Sequence, residues 1–353
     1  GCLSHASYLV GGDNKEAVVI DPRRDVDEYL RDAEQRGYRI TYVIETHLHA
    51  DFVSGHLELA KRTGATILLG SRSDALFPFQ PVKSGDTRQL GDLRLEFLET
   101  PGHTPEGISI VAWVGDEATP RMVFTGDTLF IGDVGRPDLV GSKGYTPAEM
   151  SEELFYSLRD KLLTLPNTTE VWPAHGAGSA CGRALSDERV STIGREKQFN
   201  PALKPVLAND LQSFVEYSVS GLGNAPTYFF HDAMQNRTGA TSLDEVFANA
   251  NALYPSEVEA LTEEGVLALD TRSISEFAKG HIPGALHTQL DGRFAPWVGT
   301  MIVPTQPIIV IADVGREEEA ITRLARVGYE NTVGWLKGGM DAWVEAHGEV
   351  VEY

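Results

Sequence analysis

THLHAD, residues 46–51, places two imidazoles and a carboxylate within five positions, directly after the β-branched, apolar run ITYVIE of residues 40–45. Packing alone gives no reason for such a cluster, because three polar side chains would be buried or stranded on a loop for no gain. Working outward, the theme recurs. Pro101-Gly102-His103-Thr104, Thr125-Gly126-Asp127-Thr128 and Pro173-Ala174-His175-Gly176 each set a ligand-type residue at or just after the end of an apolar run. In the first two a glycine precedes the ligand-type residue and lets the backbone turn tightly. Any one of these reads most simply as a satisfied or surface side chain. The four in this order read as a metal site.

The surrounding pattern supplies the scaffold. AVVID (17–21) and ITYVIET (40–46) read as strands, HLELAKRTG (56–64) as a helix stopped by Gly64, and DTRQLGDLRLEFLETPG (86–102) as a hairpin turning at Gly91-Asp92. ISIVAWV (108–114) and RMVFTGD (121–127) form another strand pair. Thr146-Pro147 caps a long amphipathic helix, and TEVWPAH (169–175) is a strand ending in a histidine. Strands thus deliver His and Asp at their C-terminal ends, where active-site loops of α/β proteins sit. Residues 237–251 are polar and small and read as a linker between a first domain, 1–236, and a second, 252–353. In the second, GVLALDTR, EFAKG, PIIVIADVG, EEEAITRLARVG and NTVGWLKGG alternate as strands and helices, which implies a small parallel sheet.

Composition bounds the function. At 353 residues the chain suits two domains, and 42% apolar with 23% charged residues is globular. A formal net charge of −21 excludes nucleic acid and anionic membrane surfaces as partners. No apolar run approaches the roughly 18–20 residues of a membrane helix. Residues 1–30 lack the basic start and apolar core of a signal peptide. The two cysteines, Cys2 and Cys181, are far apart, so no disulfide is expected and a reducing, cytoplasmic location is.

The run THLHAD, PGH, TGD and PAH resembles the metallo-β-lactamase superfamily across nearly all of residues 1–235. That resemblance implies an αββα sandwich with the metal at one edge of its two sheets. Two-zinc members carry a histidine straight after the Asp; here Phe52 stands there, so one metal is expected. His47, His103 and Asp127 then match the two-histidine, one-carboxylate set of the iron-dependent persulfide dioxygenases, which the chain resembles at those positions. The same resemblance puts His49 and Asp51 behind the ligands, orienting them and bound water. Chemistry alone leaves zinc open, with His49 as a fourth ligand.

On the substrate side the candidates are Arg136, His175 and Cys181. Arg136 lies in GDVGRPD (132–138), a stretch similar to one in persulfide dioxygenases, and offers a planar fork for a carboxylate; pairing with Asp138 or Asp133 is the structural alternative. GAGSACG (176–182) resembles the bacterial branch fused to rhodanese domains. His5 reads as structural. The second domain is similar to rhodaneses at Ala268–Arg272, Gly280–Ala285 and Gly338–Trp343, but aligning on Gly315 puts Ala312 at the nucleophile position, with Asp313 beside it. Asp270 and Arg272 read as a structural pair. The expected activity is oxidation of a thiol persulfide, such as glutathione persulfide, by O₂ on one Fe(II). The second domain is left a structural role, in docking or in a homo-oligomer. A zinc thioester hydrolase of the glyoxalase II type is the rival.

Overall fold

The computed structural model describes residues 3–141, 144–183 and 185–352. Cys2 lies outside the described residues. Two compact units emerge, one running to Ala225 and one from Pro226 onward, with the short segment Ala50–Val53 clustering with the second.

The first unit holds two sheets. One, in the order β1-β2-β3-β4-β5, comprises β1 (Tyr8–Gly11), β2 (Glu16–Ile20), β3 (Arg39–Ile44), β4 (Thr66–Gly70) and β5 (Gln80–Val82), with only the β1–β2 pairing antiparallel. The other runs β11-β10-β9-β8-β7-β6, from β6 (Thr87–Leu90), β7 (Leu93–Glu99), β8 (Ile108–Val114), β9 (Met122–Gly126), β10 (Glu170–Pro173) and β11 (Ser191–Thr192). The hairpin read at Gly91-Asp92 closes with Leu90 opposite Leu93.

Strand alternation sorts the apolar residues into three layers. Val18, Ile20, Ile44 and Leu68 of the first sheet share a core with Leu95, Phe97, Ile110 and Phe124 of the second. The opposite face of the first sheet, Val19, Val43 and Ile67, packs with Tyr29 and Ala33 of helix α1 (Asp27–Arg36) and Leu59 of α2 (His56–Thr63). The opposite face of the second, Val111, Val123 and Val171, packs with Leu154, Phe155 and Leu158 of α3 (Pro147–Asp160). This is the αββα sandwich. Thr146 caps α3 as expected, in a reciprocal box with Glu149.

The second unit has an all-parallel sheet, β12-β16-β15-β13-β14, built from β12 (Asn251–Leu253), β13 (Leu267–Asp270), β14 (Leu286–His287), β15 (Ile308–Ile311) and β16 (Thr332–Leu336). Arg272 and Asp270 form the expected pair, Nη2 to Oδ2 at 2.6 Å. The linker reading needs correcting. Residues 237–251 contain a helix, Leu243–Asn249, whose Ser242 and Glu245 make a capping box. The polarity that suggested a linker is that of a short, capped helix, and the units divide at Pro226 instead.

Candidate metal centre

His47 lies three residues beyond β3, His103 in the turn between β7 and β8, and Asp127 immediately after β9. Strands of both sheets therefore deliver ligands to one edge of the sandwich. Two glycines let the turns close. At Gly126, with φ of 52°, a Cβ would meet Thr46 at 2.7 Å; at Gly102, with φ of 144°, it would meet Leu154 of α3 at 2.3 Å. Side chains at either position would separate the ligand loops from their supports.

The ligand atoms of His47, His103 and Asp127 lie within 4.8 Å of one another, and all three residues are buried. Asp127 Oδ2 is 3.8 Å from His47 Nε2 and 3.4 Å from His103 Nε2. Two donors each about 2.1 Å from one ion stand roughly 3.0–3.5 Å apart at ordinary coordination angles; the His103 distance falls in that range and the His47 distance slightly exceeds it. Asp127 Oδ2 is buried and accepts no hydrogen bond, although its twin Oδ1 is taken by His175 Nδ1 at 2.7 Å. An orphaned carboxylate oxygen facing two imidazole nitrogens fits a cation between them.

Each histidine is aimed by its far nitrogen. His103 Nδ1 lies 2.8 Å from the Arg136 carbonyl, which only an N–H can satisfy, so Nε2 carries the lone pair. The Thr46 hydroxyl donates to Asp21 Oδ2 at 2.8 Å and so receives the proton on His47 Nδ1 at 3.0 Å. Asp21 also accepts from Thr46 N at 2.7 Å. Asp21 was not among the sequence candidates. Its signal was the polar end of β2 and, in the fold, a left-handed φ of 50° that turns it toward Thr46.

Burial, and then the neighbouring His49, hold the His47 imidazole well below its usual pKa of 6.5. Burial pushes the Asp127 carboxyl up, but His175, His47 and His103 outweigh it and hold the group well below the usual carboxylate range. Neutral imidazoles and an ionised carboxylate are the states a divalent cation requires.

His49 Nε2 faces two buried carboxylates, Asp21 at 3.2 Å and Glu45 at 3.5 Å, so this nitrogen points away from the triad. Asp51 is buried two residues further on, and Phe52 is 1% exposed. Cys181 is buried with its sulfur near Asp127 and His175. His5, read as structural, has its ring 5.6 Å from His49 and 5.5 Å from His175, against which its strand also bridges. Arg136 takes the structural alternative. Its fork holds Asp138 at 2.7 and 2.8 Å, and its remaining donors reach Ala180 O and Gly223 O. Four of its five N–H donors are thus taken up within the protein.

Comparison with known proteins follows this geometry. The metallo-beta-lactamase superfamily model matches residues 1–175. The mitochondrial persulfide dioxygenase ETHE1 of Bos taurus is 33% identical over 202 residues, which are 56% of this chain and 70% of that protein. The chain belongs to the metallo-β-lactamase superfamily. Within it, a Staphylococcus aureus structure described as a metallo-beta-lactamase superposes with a TM-score of 0.83 at 33% identity, covering 95% of this chain and 96% of that one. The superfamily domain here is followed by a rhodanese-like domain, matched over residues 254–346. The superfamily likeness also extends to hydroxyacylglutathione hydrolase GloC of Haemophilus influenzae, 28% identical over 55% of this chain and 91% of that protein. Among the described residues no helix is long and apolar enough to cross a membrane.

Proposed function

We propose that this chain is a persulfide dioxygenase using a single ferrous ion held by His47, His103 and Asp127. The observation that carries the reading is the pairing of that triad with Phe52, a buried ring where two-metal members place a ligand. The resemblance at the triad and the persulfide dioxygenase relative support it. When bound, ferrous iron supplies open positions for both reactants and the electrons that start O₂ reduction. In the net reaction the persulfide, O₂ and one water give the free thiol, sulfite and two protons. The chain's own residues hold the ligand lone pairs inward, through Thr46 behind His47 and the Arg136 carbonyl behind His103. His175 fixes the Asp127 carboxylate, and Phe52 keeps a second ion out. Cys181 and His175 stand on the substrate side, and Arg136 braces that wall rather than contacting the thiol.

The rhodanese-like domain is read as catalytically silent. Ala312, at the end of β15, has no nucleophilic atom, and the following loop is filled by the chain's own acids. Gly315 N donates to Glu317 Oε2 at 2.7 Å, and Arg316 is held by Asp291 and Glu319. A loop whose Gly315 N–H already holds its own carboxylate has fewer N–H groups for a persulfide anion.

The test is O₂ consumption and sulfite formation with glutathione persulfide after anaerobic Fe(II) loading. Rapid uptake is expected; none, with hydrolysis of lactoylglutathione by the zinc-loaded chain instead, would move the assignment to the hydrolase side represented by GloC.

A further inference from the structure

Beside the triad the first unit builds a recess whose walls are hydroxyls. Thr46, Thr100, Thr104 and Thr128 line it together with His47, His103 and Asp127, and its scale is that of a single water molecule. Three of the four hydroxyls are accounted for within the protein. Thr46 donates to Asp21 at 2.8 Å, Thr128 donates to Thr100 Oγ1 at 3.0 Å, and Thr100 shares a hydrogen bond with Ser109 at 2.9 Å.

Thr104 is different. It is 6% exposed, and its Oγ1 is buried with no hydrogen-bond partner among the described residues. Leaving such a hydroxyl unmade costs roughly 1–3 kcal/mol. Its backbone is nevertheless pinned, with Thr104 O accepting from Gly102 N at 3.1 Å and Gly107 N at 3.4 Å. Opposite stands Gly107, where a Cβ would lie 3.5 Å from Thr104 Oγ1 and 3.0 Å from Thr100 O. The missing side chain keeps the space in front of the hydroxyl open.

We infer that Thr104 is a ligand-contacting residue whose hydroxyl donates a hydrogen bond to the end atom of a small lone-pair acceptor, one atom of which enters this water-sized recess beside the ligands. Gly107 sets the size of what enters. The inference rests on the triad holding a metal and is independent of which reaction that metal serves. In the dioxygenase reading the acceptor is dioxygen-sized. A polar recess next to the ligands would then favour a ligand that can accept a hydrogen bond over an apolar one of equal size.

The probe is azide, titrated by visible absorption into the full chain loaded with Co(II), with metal content measured for each protein. Wild type, Thr104→Val, Thr104→Ser and Gly107→Ala are compared. The expected result is equal Co(II) in all four and azide binding roughly 5–10-fold weaker in Thr104→Val, the worth of one hydrogen bond. Thr104→Ser should recover to within about twofold, and Gly107→Ala should weaken binding with the hydroxyl still in place. Azide binding by Thr104→Val equal to wild type would overturn the inference, leaving the hydroxyl to a fixed water. A Co(II)-loaded wild type with no azide response would overturn it equally. Hydroxyl-dependent azide binding in a chain that consumes no O₂ would sink the dioxygenase reading and leave this one standing.

Discussion

His47 keeps its proton on Nδ1 because the Thr46 hydroxyl has already given its own to Asp21. The lone pair on Nε2 is therefore set three residues deep, and Asp21→Asn should disturb it. Outer partners of metal ligands are worth about 10–100-fold in affinity. Asp21→Asn is expected to lose that much Fe(II) affinity, read by competition with a chelator, while His103→Ala should abolish binding and O₂ uptake together. Unchanged affinity in Asp21→Asn would show that the Thr46 bridge does not orient His47. The protonation states carry a pH consequence for the metal-free chain. His5 and His47 are both held well below 6.5, by burial first and then by neighbouring histidines. Folded, they stay neutral where the unfolded chain would bind protons, so stability rises with pH through this range and is lost as pH falls below about 6.5. Each contributes a slope on the order of 1.4 kcal/mol per pH unit. Denaturant titrations between pH 7 and 5 should show it, and His5→Gln should flatten it.

The turns that carry the ligands depend on the helices behind them. Gly102 lets α3 approach within 2.3 Å of where its Cβ would be, so Gly102→Ala pushes His103 and Leu154 apart. We expect a stability loss of about 2–4 kcal/mol, within the range for a strained, overpacked position, accompanied by loss of metal. Thr146→Ala, which removes only the α3 cap, should cost about 1 kcal/mol and spare the metal. Thermal unfolding with metal analysis separates the two. These elements were largely legible in the sequence, because β3, β7, β9 and β10 each run apolar into a ligand-type residue. The helix Leu243–Asn249 was not. Its Ser242-x-x-Glu245 cap was outweighed by polarity and small residues. Asp21 and His5 were harder still, since each is a lone polar residue whose partners lie 25 or more positions away. Arg136 showed its chemistry and its possible partners, Asp138 and Asp133, in the sequence, but not which of them it takes. A fork paired two residues on with Asp138 is decided by geometry alone.

For the whole molecule, an acidic chain of net charge −21 needs a local positive charge to meet an anionic substrate, and in the proposed reading a cation at the triad would supply it. In the proposed reading the rhodanese-like domain contributes no nucleophile, since Ala312 stands at that position. Restoring one by Ala312→Cys should still give no thiosulfate:cyanide sulfurtransferase turnover, because Glu317 occupies the loop; adding Glu317→Ala is the variant with a chance of activity. Robust turnover by Ala312→Cys alone would show that the acid yields to substrate. The central claim is that one ion, and that ion iron, sits between His47, His103 and Asp127. Metal analysis of the chain purified from its native metal supply tests it most directly: about one iron per chain is the expected result, and two zinc ions per chain would contradict it.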